Sequence, residues 1–571
     1  MSEAERVECD VLVAGSGAGG LAAAITAAQR GLQVIVTEKE ALFGGTTAYS
    51  AGGIWIPCSS HARRAGVSDS AEEALRYLEQ EIGEHLDRAK ARAYLATCAE
   101  ALDFVERETT VRFTLMTAWS DYHPDLPGAS AGGRSLVPEP FDGRLLGERF
   151  RDLRPPLATM MLYGGMSVGR TDIPHLLNAT RSARSALHVL GMLARYGADR
   201  LRWPRGTRLT NGNSLVAQLA KSLFERSVPL WLRSPLVRLV RADGRVAGAI
   251  VRREGREIEV RARRGVVLAC GGFPRDDDMR VEHYRHVAAG KNHVPLAPPG
   301  NAGDGIRAAR GVGAAFTAEY PQPAAWTPVS LVPQRDGTVV PYPHFIDRCK
   351  PGYIAVDRRG RRFANEADSY HDFMPRLFEA CRFDAEVAAF LVCDHRAIRR
   401  YGIGVVPPAP GRMGPHLRSG YLARADTPEA LARALGVDPP GFAAQLERYN
   451  RDAERGEDPE LGKGTNAYHR FGGDPSHGPN PNIAPIVTPP YYAVKLVPGD
   501  LGTFIGLATD PLARVLDVNE QPIPGLYAVG NDQASVMGGT YPGAGITIGP
   551  ALTFGYIAAR HLADGSAPAT Q

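Results

Sequence analysis

No stretch of this 571-residue chain approaches the roughly 18 uninterrupted apolar residues of a membrane-spanning helix, so no transmembrane segment is expected. Cysteine is sparse: Cys9, Cys58, Cys98, Cys270, Cys349, Cys381 and Cys393 form no CxxC pair and show no metal-ligand spacing. That pattern speaks against a disulfide framework or a metal centre and fits reduced thiols in a cytoplasmic protein. Charge of one sign is also missing. A formal balance of +4 gives no basis for a nucleic-acid partner, and a neutral or weakly acidic small molecule is the better-matched ligand. The opening MSEAERVECD is acidic and lacks an apolar run, so neither a secretory signal nor a twin-arginine leader is expected. With 44% hydrophobic and 22% charged residues the chain reads as globular, and its length predicts two domains.

What is present begins at Val11–Val13, an apolar run that leads into Gly15-Ser16-Gly17-Ala18-Gly19-Gly20 and then the alanine-rich stretch to Arg30. The order predicts strand, tight turn and helix, with a dinucleotide pyrophosphate facing the helix N-terminus. A second strand ends at Glu38, whose carboxylate is placed to accept ribose hydroxyls. The same start serves NAD or FAD. Gly44-Gly45-Thr46-Thr47 and Ser50-Ala51-Gly52-Gly53 follow at once, a glycine and hydroxyl cluster suited to a long extended cofactor, which favours FAD.

Three further stretches could carry chemistry. Tyr122 lies in the loop SDYHPDLPG, where on the residues alone it reads first as a packed loop aromatic. Tyr370 follows NEADS, with Asp368 or Ser369 as N-cap, so its phenol would sit in a first helical turn that favours an anion and eases ionisation from a pKa of about 10. Gly538–Ala559 is a glycine-rich turn with one tyrosine, Tyr541, running into an apolar helix. Gly543 and Gly545 permit close approach of backbone to a ligand there. Before it, Gly530-Asn531-Asp532 offers Asn531 or Asp532 to a flavin side chain, and Gly265–Phe273 is an apolar strand ending in glycines.

Residues 11–58, 265–273, 353–373 and 525–560 together resemble the fumarate reductase and 3-ketosteroid dehydrogenase superfamily of flavoproteins, and Tyr122, Tyr370 and the YPGAG turn resemble its 3-ketosteroid Δ1-dehydrogenases. The resemblance implies an α/β fold: a Rossmann-like FAD-binding domain (1–290 and 490–571) with an inserted α+β substrate domain (291–489). It also implies that Tyr541 and the Gly545 amide polarise the C3 carbonyl, that Tyr370 takes a proton from C2, that Tyr122 assists Tyr370, and that hydride leaves C1 for the flavin. Cofactor contacts implied with it are Gly15, Gly17, Ala18, Gly19, Gly20, Glu38, Lys39, Gly45, Thr46, Thr47, Ser50, Gly52, Gly53, Leu236, Val237, Ala269, Gly271, Gly272, Asp304, Gly530, Asn531, Thr547 and Ile548. FAD would be held non-covalently, since residues 44–53 contain no histidine. A fumarate reductase would need cationic groups for two carboxylates, and the tail turn offers Tyr541 instead. The nearer alternative is a Δ4-(5α)-ketosteroid dehydrogenase; a flavin carrier without such activity leaves three tyrosines unexplained. A 3-ketosteroid and an unidentified external electron acceptor are the expected partners, in the cytoplasm with loose membrane association allowed.

Overall fold

The computed structural model describes residues 5–179, 182–408 and 413–565. Glu5–Ala14 is a strand that pairs in parallel with Val34–Thr37 on one side and with Arg256–Leu268 on the other. Leu12–Ala14 and Val34–Thr37 are buried throughout, as a continuous apolar run must be when both faces of a parallel sheet are covered. Pro522–Ala528 extends the sheet by pairing in parallel with Val266–Leu268. The helix Ala18–Gln29 packs directly on the helix Ile548–Asp564: a Cβ at Gly555 would fall 2.5 Å from the Gly19 carbonyl oxygen. This is the Rossmann-like half that the glycine motif implies.

Leu230–Trp231 is a parallel strand beside Val36–Thr37, and the apolar strand expected from Gly265 begins earlier and runs over Arg256–Leu268. Antiparallel pairing joins Leu236–Ala242, Arg245–Arg253 and Arg256–Leu268.

The second sheet runs in the order Val339–Pro343, Ala324–Pro333, Tyr491–Thr503, Ala389–Cys393, Tyr353–Val356, antiparallel along that path, and Val294–Pro295 joins Tyr491–Thr503 in parallel. Tyr491–Thr503 is therefore its central strand, so the expected boundary at 489/490 moves to after Thr503, and Pro479–Pro490 leads back into the inserted sheet and not to the FAD sheet. At the other boundary, Asp304–Arg310 and the chain after it lean on the first half, with Lys39 Nζ on Asp304 at 2.6 Å and Ala315 N on Leu516 O at 2.8 Å. Before that stretch, Val294–Pro295 already joins the second sheet beside Gly499–Asp500, so we place the inserted unit at about residues 291–296 and 318–503. No described helix is long and apolar enough to cross a membrane.

Candidate active site

Three tyrosines from distant parts of the chain meet where the two halves join. Tyr370 is the first residue of the helix Tyr370–Ala380, whose N-cap is Ser369: Ser369 Oγ accepts from Asp372 N at 3.1 Å and donates to the Asp372 carboxylate at 2.5 Å. Tyr122 is strapped to the YPGAG turn by its own amide, which donates to Pro542 O at 2.9 Å, and Tyr77 Oη donates to the same carbonyl at 2.6 Å. Tyr541 lies in that turn.

The Tyr122 and Tyr370 hydroxyls are 3.3 Å apart. The Tyr541 ring stacks on Tyr122 with centroids 5.5 Å apart and meets Tyr370 edge-on at 5.1 Å. All three side chains are buried. Burial lifts Tyr370 well above its ordinary pKa, and the neighbouring Tyr122 and Tyr541 phenols add to the lift; burial also raises Tyr122, and takes Tyr541 to about 12. The helix start expected to ease ionisation of Tyr370 is present, but burial outweighs it. Gly545 has φ +99°, and a Cβ there would fall 2.5 Å from the Ile54 backbone. Its carbonyl accepts from Trp55 N at 3.2 Å, while its own amide has no acceptor among the described residues.

Two aromatics complete the cluster without having stood out in the sequence. Tyr468, in the helix Ala467–Gly472, packs on Tyr122 with centroids 4.5 Å apart, and Phe345 meets Tyr370 edge-on at 4.9 Å. No motif surrounds either residue; only the Asn466 N-cap was there to be read.

The expected cofactor residues divide by what their atoms do. Gly15 (φ +115°) lies so close to the strand Arg256–Leu268 that a Cβ would meet Ala269 O at 2.0 Å, and Gly20 is equally tight against Gly15 O. Glu38, buried at the end of its strand, accepts from Ser16 Oγ and, at 2.9 Å, from Glu40 N; burial raises its pKa. A bulge at Val237, which has no ladder partner in the pairing of Leu236–Ala242 with Arg245–Arg253, leaves its backbone available near Glu38, because Ser234 N donates to Glu38 O at 2.8 Å. Thr46 Oγ1 accepts from Asn301 Nδ2 at 2.8 Å, and the same amide reaches Gly271 O at 3.0 Å. Gly530, Asn531 and Thr547 share one cavity with Thr503, Phe504 and Ile546.

Other members are occupied within the protein. The Ala18 amide donates to Thr47 Oγ1 at 3.1 Å, Ser50 Oγ closes its own turn on Thr47 O at 2.7 Å, and Gly52 (φ +73°) makes room for Gly212. Lys39 and Asp304 pair with each other. Asp532, weighed with Asn531 as a flavin contact, instead accepts from Cys270 N at 2.6 Å and Gly272 N at 2.9 Å, holding the Ala269–Gly272 backbone in place.

A dinucleotide fits this arrangement: Ser16 of the glycine-lined turn holds the Glu38 carboxylate, Gly17 lies against Gly45, Gly53 lies against Gly545, and the amides of Gly545 and Thr547 have no acceptor among the described residues. The chain is a flavoprotein: residues 10–548 match the FAD binding domain family, to which it belongs, and FAD is its cofactor.

Among individual relatives it is 40% identical to 4-oxocyclohex-2-ene-1-carboxylate 5-dehydrogenase of Sinomonas cyclohexanicum, over 98% of this chain and 94% of that one. Identity is 38% to 3-oxosteroid 1-dehydrogenase of Mycobacterium tuberculosis, covering 98% of each. The fold matches a crystal structure of 3-ketosteroid delta1-dehydrogenase from Sterolibacterium denitrificans in complex with 1,4-androstadiene-3,17-dione, with a TM-score of 0.89 and 38% identity over 98% of this chain and 100% of that one.

Proposed function

We propose that the protein is an FAD-dependent 3-oxosteroid 1-dehydrogenase. The observation that carries the reading is the buried Tyr122–Tyr370 hydroxyl pair with Tyr541 packed against both rings, the unclaimed Gly545 amide following four residues after Tyr541 in the same turn. Removing a proton next to a ketone builds negative charge on the carbonyl oxygen. Tyr541 Oη and Gly545 N would donate to that oxygen, and fixed donors in a dry site stabilise such charge by roughly 3 kcal/mol each. Tyr370 would take the C2 proton, a task for which a phenolate is basic enough and a carboxylate is not. Tyr122, at hydrogen-bond distance from Tyr370, would share the charge that the base carries. FAD supplies the acceptor for the hydride that leaves C1, so that the C1–C2 bond becomes double and the electrons balance.

Mixing the purified holoenzyme anaerobically with androst-4-ene-3,17-dione tests this: flavin bleaching with formation of the 1,4-diene supports it. No bleaching with any 3-ketosteroid would remove it. A saturated 5α-steroid yielding only the 4-ene would transfer the assignment to a Δ4-(5α)-dehydrogenase.

A second reading, a monocyclic ring ketone bearing a carboxylate, is favoured by Arg170. Its guanidinium lies 4.7 Å from the Trp119 ring and 5.0 Å from Phe471, close enough to the Tyr122 phenol to feel its charge, and pairs with no carboxylate among the described residues. The location proposed with either reading is cytoplasmic. Exposed Leu187 and Leu190 on the helix Ala183–Arg200, with Leu201 just beyond it, offer an apolar surface for loose membrane contact.

A further inference from the structure

His123 follows Tyr122 in the chain and faces two carboxylates. Its Nε2 is 3.0 Å from Asp372 Oδ2, two residues beyond Tyr370, and its Nδ1 is 2.8 Å from Glu81 Oε2 on the helix Ala71–Ile82. The second contact is ionic in character, lying off the direction of a good hydrogen bond. Neither acid has a lysine or arginine partner among the described residues, so His123 is the cation that both share.

We propose that His123 is a positioning residue for the proton-abstracting pair: as an imidazolium between Glu81 and Asp372 it ties the Tyr122 loop to the first turn of the Tyr370 helix and cancels carboxylate charge beside both phenols. This rests on the dehydrogenase reading. The groups facing it are Glu81 and Tyr77 from one helix, His371 and Asp372 from the other, and Tyr122 alongside. Burial alone would lower the His123 pKa, but Asp372 and Glu81 carry it up to about 11, so the charge is present at any working pH. The Asp372 charge in turn reaches the Tyr122 phenol and disfavours its ionisation. Without the imidazolium, two unshielded carboxylates would oppose a phenolate a few ångströms away.

The test is stopped-flow flavin reduction by androst-4-ene-3,17-dione, measured against pH in the holoenzymes of wild type, His123→Gln and His123→Gln/Asp372→Asn. In His123→Gln the rate constant should fall about tenfold and its rising pH limb should move about one unit alkaline, with steroid Kd held within about threefold. The double variant should return the limb to the wild-type position, which a purely structural lesion would not do. An unmoved limb in His123→Gln, or no return in the double variant, overturns the proposal. If His123→Gln fails to retain flavin, Asp372→Asn alone decides: a rising limb moved to lower pH supports the charge role and an unmoved limb overturns it. Absence of bleaching in the wild type would instead overturn the dehydrogenase reading, and this role with it.

Discussion

Trp55 Nε1 donates to Asp121 Oδ1 at 2.8 Å, joining the strand Ile54–Trp55, just past the glycine cluster, to the residue before Tyr122. Asp121 is also bound by Arg134 at 2.7 Å, and Arg134 forks onto Asp69 at 2.7 Å; all three side chains are at most 3% exposed. A cation shared by two buried acids cannot be removed cheaply, because both carboxylates then stay dry and unpaired. Arg134→Met should destabilise the protein by about 3–5 kcal/mol in urea unfolding. A loss under about 1 kcal/mol would mean that water enters and solvates the pair.

Tyr370→Phe keeps the ring that packs on Tyr541 and Phe345 and removes only the hydroxyl. Flavin reduction should slow by about 10³-fold, while steroid binding, read from perturbation of the flavin spectrum, should change little. Retained turnover would remove Tyr370 as the base.

The direction of the Tyr370 shift sets the pH dependence of the same step. A base whose pKa is raised is protonated over most of the working range, so its competent form grows as pH increases. The rate of flavin reduction should therefore climb through pH 7 to 9 with no plateau below the ordinary phenol value of about 10. A plateau near neutrality would place a different group in the role.

Much of this site could be read from the chain because its parts are local patterns. The turn at Gly15–Gly20 announces itself by residues whose side chains would collide with Ala269 O or Gly15 O, and the Tyr370 helix by its Ser369 cap. Other features depend on contacts between distant segments and carry no local signature. Tyr468 joins Tyr122 across 346 positions of chain (468 − 122), inside a stretch with no motif. Ser50 and Gly52 show a related limit: a serine or glycine in such a cluster serves a turn or a helix contact as well as a ligand, and their contacts with Thr47 and Gly212 come from the fold and not from the local pattern. The boundary after Thr503 has no local signature, because the proline-rich crossing 479–490 resembles a linker whichever domain it enters.

Gly545→Ala tests the donor that no side chain can replace. At φ +99° the new Cβ would press on Ile54 backbone at 2.5 Å, so the turn must shift. Strain of this kind costs about 1–3 kcal/mol, and a displacement near 1 Å at a reacting group can cost ~100-fold in rate. The variant should melt earlier and lose most of its turnover, with its flavin retained, since Gly15 and Gly20 are untouched. Full activity would show that the amide is not needed at the carbonyl.

Arg170 separates the two substrate classes. If its unpaired guanidinium receives a carboxylate, Arg170→Gln should raise KM for 4-oxocyclohexanecarboxylate by about 10- to 100-fold, the worth of a charge-assisted hydrogen bond at about 1.5–3 kcal/mol. The same change should leave androst-4-ene-3,17-dione nearly unaffected, because a neutral steroid offers the arginine nothing to pair with. Stacking on Trp119 and Phe471 fixes the cation near the pocket whichever ketone enters, so Arg170→Lys, which keeps the charge but not the planar fork, should lie between wild type and glutamine for the acid alone. Equal losses on both substrates would assign Arg170 to packing of the Trp119 and Phe471 wall. No turnover of the acid by the wild type, with full turnover of the steroid, would retire the monocyclic reading and leave the steroid dehydrogenase.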